Sequence, residues 1–241
     1  RNISEIKIGY DGIVLMGGRN APTMSLTARQ LYLALARTVP VQGASVPNPN
    51  VKWSDIDADL PDIPIRVYGP PPTSGTRDLM GQLLMDKGCA TFSDIASLEA
   101  SDPESFRLLC RTIREDGAYI AAGENDRLVI SKLEKDPKSY GIMGFNNLDR
   151  NRDTMQGVSI NGVAPDYDTI LDGSYPGSRA LYLYVKDDHQ QLVRTLGSFI
   201  STYTSDTVIG EEGLLAENGL VPLPDDERAE ALAGAKKFVG N

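Results

Sequence analysis

Histidine is almost absent from this chain: His189 is the only one in 241 residues. A histidine-built metal site is therefore excluded, and any Ser-His catalytic pair would have to use that one imidazole. Cysteine is nearly as scarce. Cys89 and Cys110 stand too far apart for the C-x-x-C spacing of zinc or thioredoxin-like sites. No apolar run approaches the roughly 18 residues that would span a bilayer. Basic residues are in deficit, 24 Lys and Arg against 33 Asp and Glu, giving a net charge of −9. That balance argues against a general nucleic-acid binder, because affinity for a phosphate backbone comes from clustered Lys and Arg. It does not exclude a site for one small anion, which answers to local dipoles rather than to total charge. No Gly-Lys-Ser/Thr follows a glycine-rich turn, and no Gly-x-Ser-x-Gly elbow surrounds Ser74. Internal repeats and low-complexity tracts are also missing.

What remains is ordinary for a globular protein, 41% hydrophobic and 24% charged, long enough for one large domain or two small ones. Ile6 to Met16 reads as strand with a Gly break, ending at Gly17-Gly18. Ser25-Leu26-Thr27 caps a helix whose apolar face runs from Leu26 to Val39. Val46 to Pro64 reads as loop pinned by Trp53. Ile65 to Tyr68 is strand-like and Ser74 to Lys87 helical. Phe106 to Ile113 reads as helix and Arg114 to Ile120 as a turn and short strand. A further helix starts at Glu124-Asn125-Asp126 and ends before Pro137, ahead of a strand at Tyr140 to Phe145. Val158 to Pro165 reads as extended, and Arg179 to Val185, alternating and aromatic-rich, as the strongest strand. His189 to Ser205, Gly210 to Gly219 and Asp225 onward read as helices. Strands alternating with helices make the class α/β.

The most informative segment is Thr73-Ser74-Gly75-Thr76-Arg77-Asp78, set between the Ile65–Tyr68 strand with its Gly-Pro-Pro-Pro turn and an amphipathic helix. A helix start offers unpaired N–H groups and the positive end of a dipole. Three hydroxyls, a glycine permitting close approach and an arginine fork that matches a tetrahedral oxyanion are added at the same point. The bland alternative is a plain Ser or Thr helix cap, with Arg77 as a solvated charge and Asp78 serving only the dipole. Asn125 could line a cleft or cap its own helix. For Cys89 and Cys110, a disulfide in an oxidising compartment and two buried thiols in a reducing one stand equally open.

Taken in order, Ile8-Gly9-Tyr10-Asp11-Gly12-Ile13-Val14, Leu26 to Leu31 with Trp53-Ser54-Asp55-Ile56, Ser74-Gly75-Thr76-Arg77, Glu124-Asn125-Asp126 with Tyr140 to Phe145, Asp172 to Lys186 and Gly210 to Pro224 resemble the PstS-type phosphate-binding proteins of ABC importers, a group of periplasmic substrate-binding proteins. The resemblance implies a two-lobed periplasmic-binding-protein-like α/β fold with a hinge. It divides the chain into a hinge strand and partial lobe I at 1–16, lobe II with the anion loop at 17–156, and a return strand with the remainder of lobe I at 157–241. It further implies an amino-terminal part of lobe I that is missing here, an expectation that also fits a chain opening in mid-strand. That part would bring a second anion loop and the carboxylate that accepts the proton of hydrogen phosphate.

The function so implied is capture of inorganic phosphate outside the cytoplasm, in the periplasm, and delivery to a membrane permease. No catalysis, cofactor, metal or nucleic acid is expected. Thr73, Ser74, Gly75, Thr76 and Arg77 would bind the anion, with Asp78 and Asn125 orienting or lining the cleft. Relatives often carry an arginine or acidic residue where this chain has Pro70-Pro71-Pro72, which leaves Arg77 as the charged partner. The alternatives are another tetrahedral oxyanion such as sulfate or molybdate, and a hydrolase of phosphate esters.

Overall fold

The computed structural model describes residues 2–123 and 125–239. Glu124, which the sequence places at a helix start, lies outside the described residues. The strands in chain order are β1 (Ile3–Gly18), β2 (Ser25–Leu26), β3 (Thr38–Val41), β4 (Ala44–Pro47), β5 (Val67–Gly69), β6 (Tyr119–Ala121), β7 (Tyr140–Gly144), β8 (Met155–Gly157), β9 (Ser159–Ile160) and β10 (Ser178–Lys186). The chain folds into two compact units. One comprises residues 1–12, 166–174 and 178–241, the other residues 13–165 and 175–177.

In the first unit, the amino-terminal half of β1 pairs antiparallel with β10, with a register shift between Lys7 and Gly9. Ile6 and Ile8 of β1 and Val185 of β10 face a core completed by Ile200, Ile209, Leu223, Ala235 and Phe238. Period-2 alternation explains the division: Leu181 and Leu183 pack against that core, while Tyr182 and Tyr184 are exposed. The helix Asp225–Val239 packs on this ribbon. Glu227 accepts from Lys7 Nζ at 3.0 Å and from the Tyr10 hydroxyl at 2.7 Å, which ties the helix to β1.

The second unit is built on the other half of β1. Ile13 to Gly17 pair antiparallel with β7, and Met16 to Gly18 with β8. β5 then pairs parallel with both β7 and β6. Trp53 is fully buried with its ring edge-on to Tyr140 at 5.9 Å, so the segment around it is pinned as its composition suggests. The helix Ala28–Leu35 starts at Thr27 with a reciprocal capping box to Gln30 and buries Leu31, Tyr32 and Leu35. It packs closely against Gly88, where a Cβ would overlap the Ala28 carbonyl.

Several elements differ from the sequence reading. Thr38–Val41 and Ala44–Pro47 form a hairpin. Its turn is Gln42-Gly43, both with φ > 0, the conformation that lets two central residues match strand twist. Phe145 opens a helix, Phe145–Asp149, instead of ending a strand. The expected helix from His189 to Ser205 resolves into a short 3-10 turn at Asp187–Gln191 and a helix at Leu196–Tyr203. The helix expected from Ser74 runs as Gly75–Met80, a π turn at Gly81–Met85, and Asp86–Cys89. Cys89 and Cys110 are joined in a disulfide, both fully buried, which resolves the choice left open by spacing. Beside it Arg111 donates from Nε and Nη2 to Asp86, so the far end of the loop-bearing helix is held twice.

Candidate anion site

The parallel strands β6, β5 and β7 end at Ala121, Gly69 and Gly144, and all three run on into helices. Their carboxyl ends share one edge of the sheet, the edge at which parallel α/β sheets hold ligands. The Ala122 N–H donates to the Gly69 carbonyl at 2.9 Å, joining the first two loops. Asn147 Nδ2 donates to Asp126 at 3.0 Å, joining the second and third helix starts. Three helix amino termini, at Gly75, Asp126 and Phe145, therefore belong to this edge.

Ser74 is the cap of the first of these helices. Its backbone is extended, with φ −87° and ψ 134°, and its Oγ accepts from the Thr76 N–H at 3.3 Å. The Ser74 N–H is held by the Pro71 carbonyl at 3.0 Å, and the Ser74 carbonyl accepts from the Arg77 N–H at 3.0 Å. A serine hydroxyl carries one donor besides its lone pairs, so Ser74 can cap through oxygen and still donate outward. Ser74 as a whole is 8% exposed. Thr73 and Gly75 are exposed and Thr76 half-buried, and a Cβ on Gly75 would meet nothing within 4 Å. The Ser74, Thr76 and Arg77 N–H groups are thus used within the turn, and open space lies beside Gly75.

Arg77 is not a solvated surface charge. Its side chain turns back toward the helix start, as helical side chains do. Nη1 donates to the Pro70 carbonyl at 3.1 Å, and the guanidinium lies 4.6 Å from the centre of the Tyr119 ring. The Tyr119 hydroxyl donates to the same carbonyl at 2.8 Å. Burial pushes the Tyr119 hydroxyl up to about 12, partly offset by the charge of Arg77, so it is a neutral donor near pH 7.

Asp78 is exposed. The groups that hold Arg77 are instead Pro70 and Tyr119, neither of which the sequence reading assigned a role. Asn125 is exposed and caps the helix Asp126–Lys135, accepting from the Leu128 N–H at 3.1 Å. His189 is exposed on the 3-10 turn of the first unit.

Several groups of known proteins are similar to this chain. A family model described as a PBP superfamily domain matches residues 1–207. Protein SphX of Synechococcus elongatus is 23% identical over 226 residues, which cover 91% of this chain and 56% of that protein. The phosphate-binding protein PstS of Staphylococcus haemolyticus is 26% identical over 244 residues, covering 97% and 62% respectively. The chain thus spans less than two thirds of the length of these curated relatives. Among solved structures, a possible phosphate binding protein from Planctomyces limnophilus matches with a TM-score of 0.68 at 18% identity, over 99% of this chain and 74% of its own. PstS from Borrelia burgdorferi matches with a TM-score of 0.61 at 19% identity, over 92% and 73%. The structural likeness shows a shared two-lobed α/β fold, and with the family model matched over most of its length, this chain belongs to the PBP superfamily.

Proposed function

We propose that this chain captures inorganic phosphate through Thr73, Ser74, Gly75, Thr76 and Arg77. It would do so as part of an extracytoplasmic substrate-binding protein that serves the membrane permease of an ABC importer. One observation carries the reading: past the carboxyl end of β5, the capping Ser74, the open Gly75 and Arg77 with its guanidinium docked on the Pro70 carbonyl stand within one turn. Each of these groups stabilises an oxyanion, and together they suit a tetrahedral one. Among the similar proteins, PstS of Staphylococcus haemolyticus is called a phosphate-binding protein, the Planctomyces limnophilus protein a possible phosphate binding protein, and a putative phosphate ABC transporter substrate-binding protein from Clostridium perfringens is described with bound phosphate. No helix among the described residues is long and apolar enough to cross a membrane.

The division into lobes at 1–16, 17–156 and 157–241 belongs to the same proposal, with the anion loop in the central part. So does the partner for lobe I. Among the described residues β10 is paired with β1 alone, and Ile3, Tyr182 and Tyr184 are exposed on the resulting ribbon. A further polypeptide segment covering that edge would complete lobe I, in keeping with the greater length of the relatives.

Binding of labelled phosphate, with unlabelled phosphate, sulfate and molybdate as competitors, tests the reading. Phosphate should displace the label at far lower concentration than sulfate does. That discrimination is expected of the protein carrying the amino-terminal carboxylate, an acceptor that a protonated anion satisfies and sulfate leaves unpaired. Equal displacement by sulfate or molybdate would assign the site to oxyanions in general. Turnover of a chromogenic phosphate ester that is lost in Ser74→Ala would overturn the binding-protein reading in favour of a hydrolase.

A further inference from the structure

The seat of Arg77 contains a residue from a different strand, 42 positions away in sequence. Tyr119 is the first residue of β6 and lies opposite Val67 of β5 in the parallel register. From there its ring crosses the end of β5. A Cβ on Gly69 would overlap the Tyr119 hydroxyl, so the crossing depends on glycine at that position. The ring ends at Pro70, whose carbonyl accepts from the Tyr119 hydroxyl at 2.8 Å and from Arg77 Nη1 at 3.1 Å. The guanidinium then lies 4.6 Å from the ring centre. Tyr119 is 7% exposed, so one wall of the seat is fixed by the protein interior.

We propose that Tyr119 is the positioning residue for Arg77: it holds the guanidinium against Pro70 and the ring face, at the start of the loop-bearing helix, with its remaining N–H groups available to the anion. The proposal rests on the reading of the 73–77 segment as a phosphate site. Two features make the seat effective. The aromatic face attracts the cation through its quadrupole, and the shared carbonyl restrains the guanidinium plane. A long arginine side chain otherwise loses considerable rotamer freedom when it engages a ligand, so restraining it beforehand strengthens binding without adding a contact. Tyr119 need not touch phosphate to act in this way.

A double-mutant cycle with phosphate titration tests the assignment, using Tyr119→Phe, Tyr119→Leu, Arg77→Gln and the Tyr119→Leu/Arg77→Gln pair. Tyr119→Phe keeps the ring and loses the hydroxyl, and should raise Kd by about 3-fold. Tyr119→Leu loses both and should raise it by about 10-fold or more. With Gln at position 77 the effect of Tyr119→Leu should shrink below about 2-fold, because there is no cation left to position. Equal effects of Tyr119→Leu in the two backgrounds, or no effect in either, would overturn the proposal and assign the tyrosine to packing alone. A second readout needs no ligand. The Arg77 side-chain proton resonances should show an upfield ring-current shift that survives Tyr119→Phe and vanishes in Tyr119→Leu. Its absence in the unaltered protein would overturn the positioning role. Its presence in a protein that takes up no phosphate would sink the phosphate reading while leaving the positioning role intact.

Discussion

Ser74 has two roles in this structure, and substitution can separate them. As the helix cap it accepts from the Thr76 N–H at 3.3 Å, and as a hydroxyl beside the open Gly75 it is placed to donate to an anion. Replacing a Ser cap with Ala costs about 0.5–2 kcal/mol, and the long capping distance points to the lower half of that range. For a unit of this size that is a fall in melting temperature of roughly 1–4 °C. Replacing the same cap with Gly costs only a few tenths of a kcal/mol. A hydrogen bond to a charged group is worth about 1.5–3 kcal/mol, so losing the donor should weaken phosphate binding by roughly 10- to 150-fold in both variants. The expected pattern is therefore asymmetric. Ser74→Ala and Ser74→Gly share the loss of affinity, but only Ser74→Ala loses appreciable thermal stability. Isothermal titration with phosphate and melting of the ligand-free protein supply the two numbers. A Ser74→Gly protein that binds phosphate as tightly as the unaltered one would reduce Ser74 to a cap and refute the assignment of its hydroxyl to the ligand.

Three further outcomes follow from features around the loop. Removing the Cys89–Cys110 bridge as the double alanine variant frees a 21-residue separation. Chain-entropy reasoning puts the loss at about 3 kcal/mol, visible as a melting temperature lower by roughly 6–12 °C; an unchanged transition would contradict it. Gly69→Ala places a methyl group on the Tyr119 hydroxyl. It should weaken phosphate binding with a penalty that Tyr119→Phe partly relieves, and titration of the single and double variants would show whether relief occurs. Burial pushes the hydroxyls of Tyr32, Tyr119 and Tyr140 up to about 12. An unfolded tyrosine ionises near pH 10, so the stability these residues contribute is complete below that pH and lost as pH rises toward 12. Urea unfolding at successive pH values from 9 to 11.5 should show declining stability, and a flat profile would refute this origin.

Much of this architecture can be read from local pattern because local physics decides it. Thr27 with Gln30 writes a capping box into adjacent positions, and Pro137 stops the preceding helix at Lys135. Alternation along β10 marks its core-facing Leu181, Leu183 and Val185 without any knowledge of the partner strand. The hairpin at 38–47 was hidden because Val39 also fits a helical period. The deciding signal is the left-handed pair Gln42-Gly43, which lies in a segment otherwise resembling loop. At Phe145 the aromatic side chain suits a strand, yet Gly144, extended at ψ 146°, turns the chain directly into a helix. Aromatic content alone cannot distinguish the last residue of a strand from the first of a helix.

The candidate site divides along the same line. Ser74, Gly75 and Thr76 are legible because capping and anion binding use neighbouring residues and the same backbone N–H groups. Arg77 is legible as a charge but not as a positioned one, since its orientation depends on Pro70 and Tyr119. Asp78, adjacent in sequence, is the local candidate for orienting it, yet helix geometry sends successive side chains in different directions. Tyr119 enters only through the parallel pairing of β5 with β6, in which Val67 meets Tyr119 and Gly69 meets Ala121. One residue of slip in that register would carry the ring to the opposite face of the sheet and leave the guanidinium without its wall. The dependence therefore runs from strand register to ring position to arginine orientation, and a variant that shifts the β5–β6 register should weaken anion binding even with every residue from Thr73 to Arg77 unchanged.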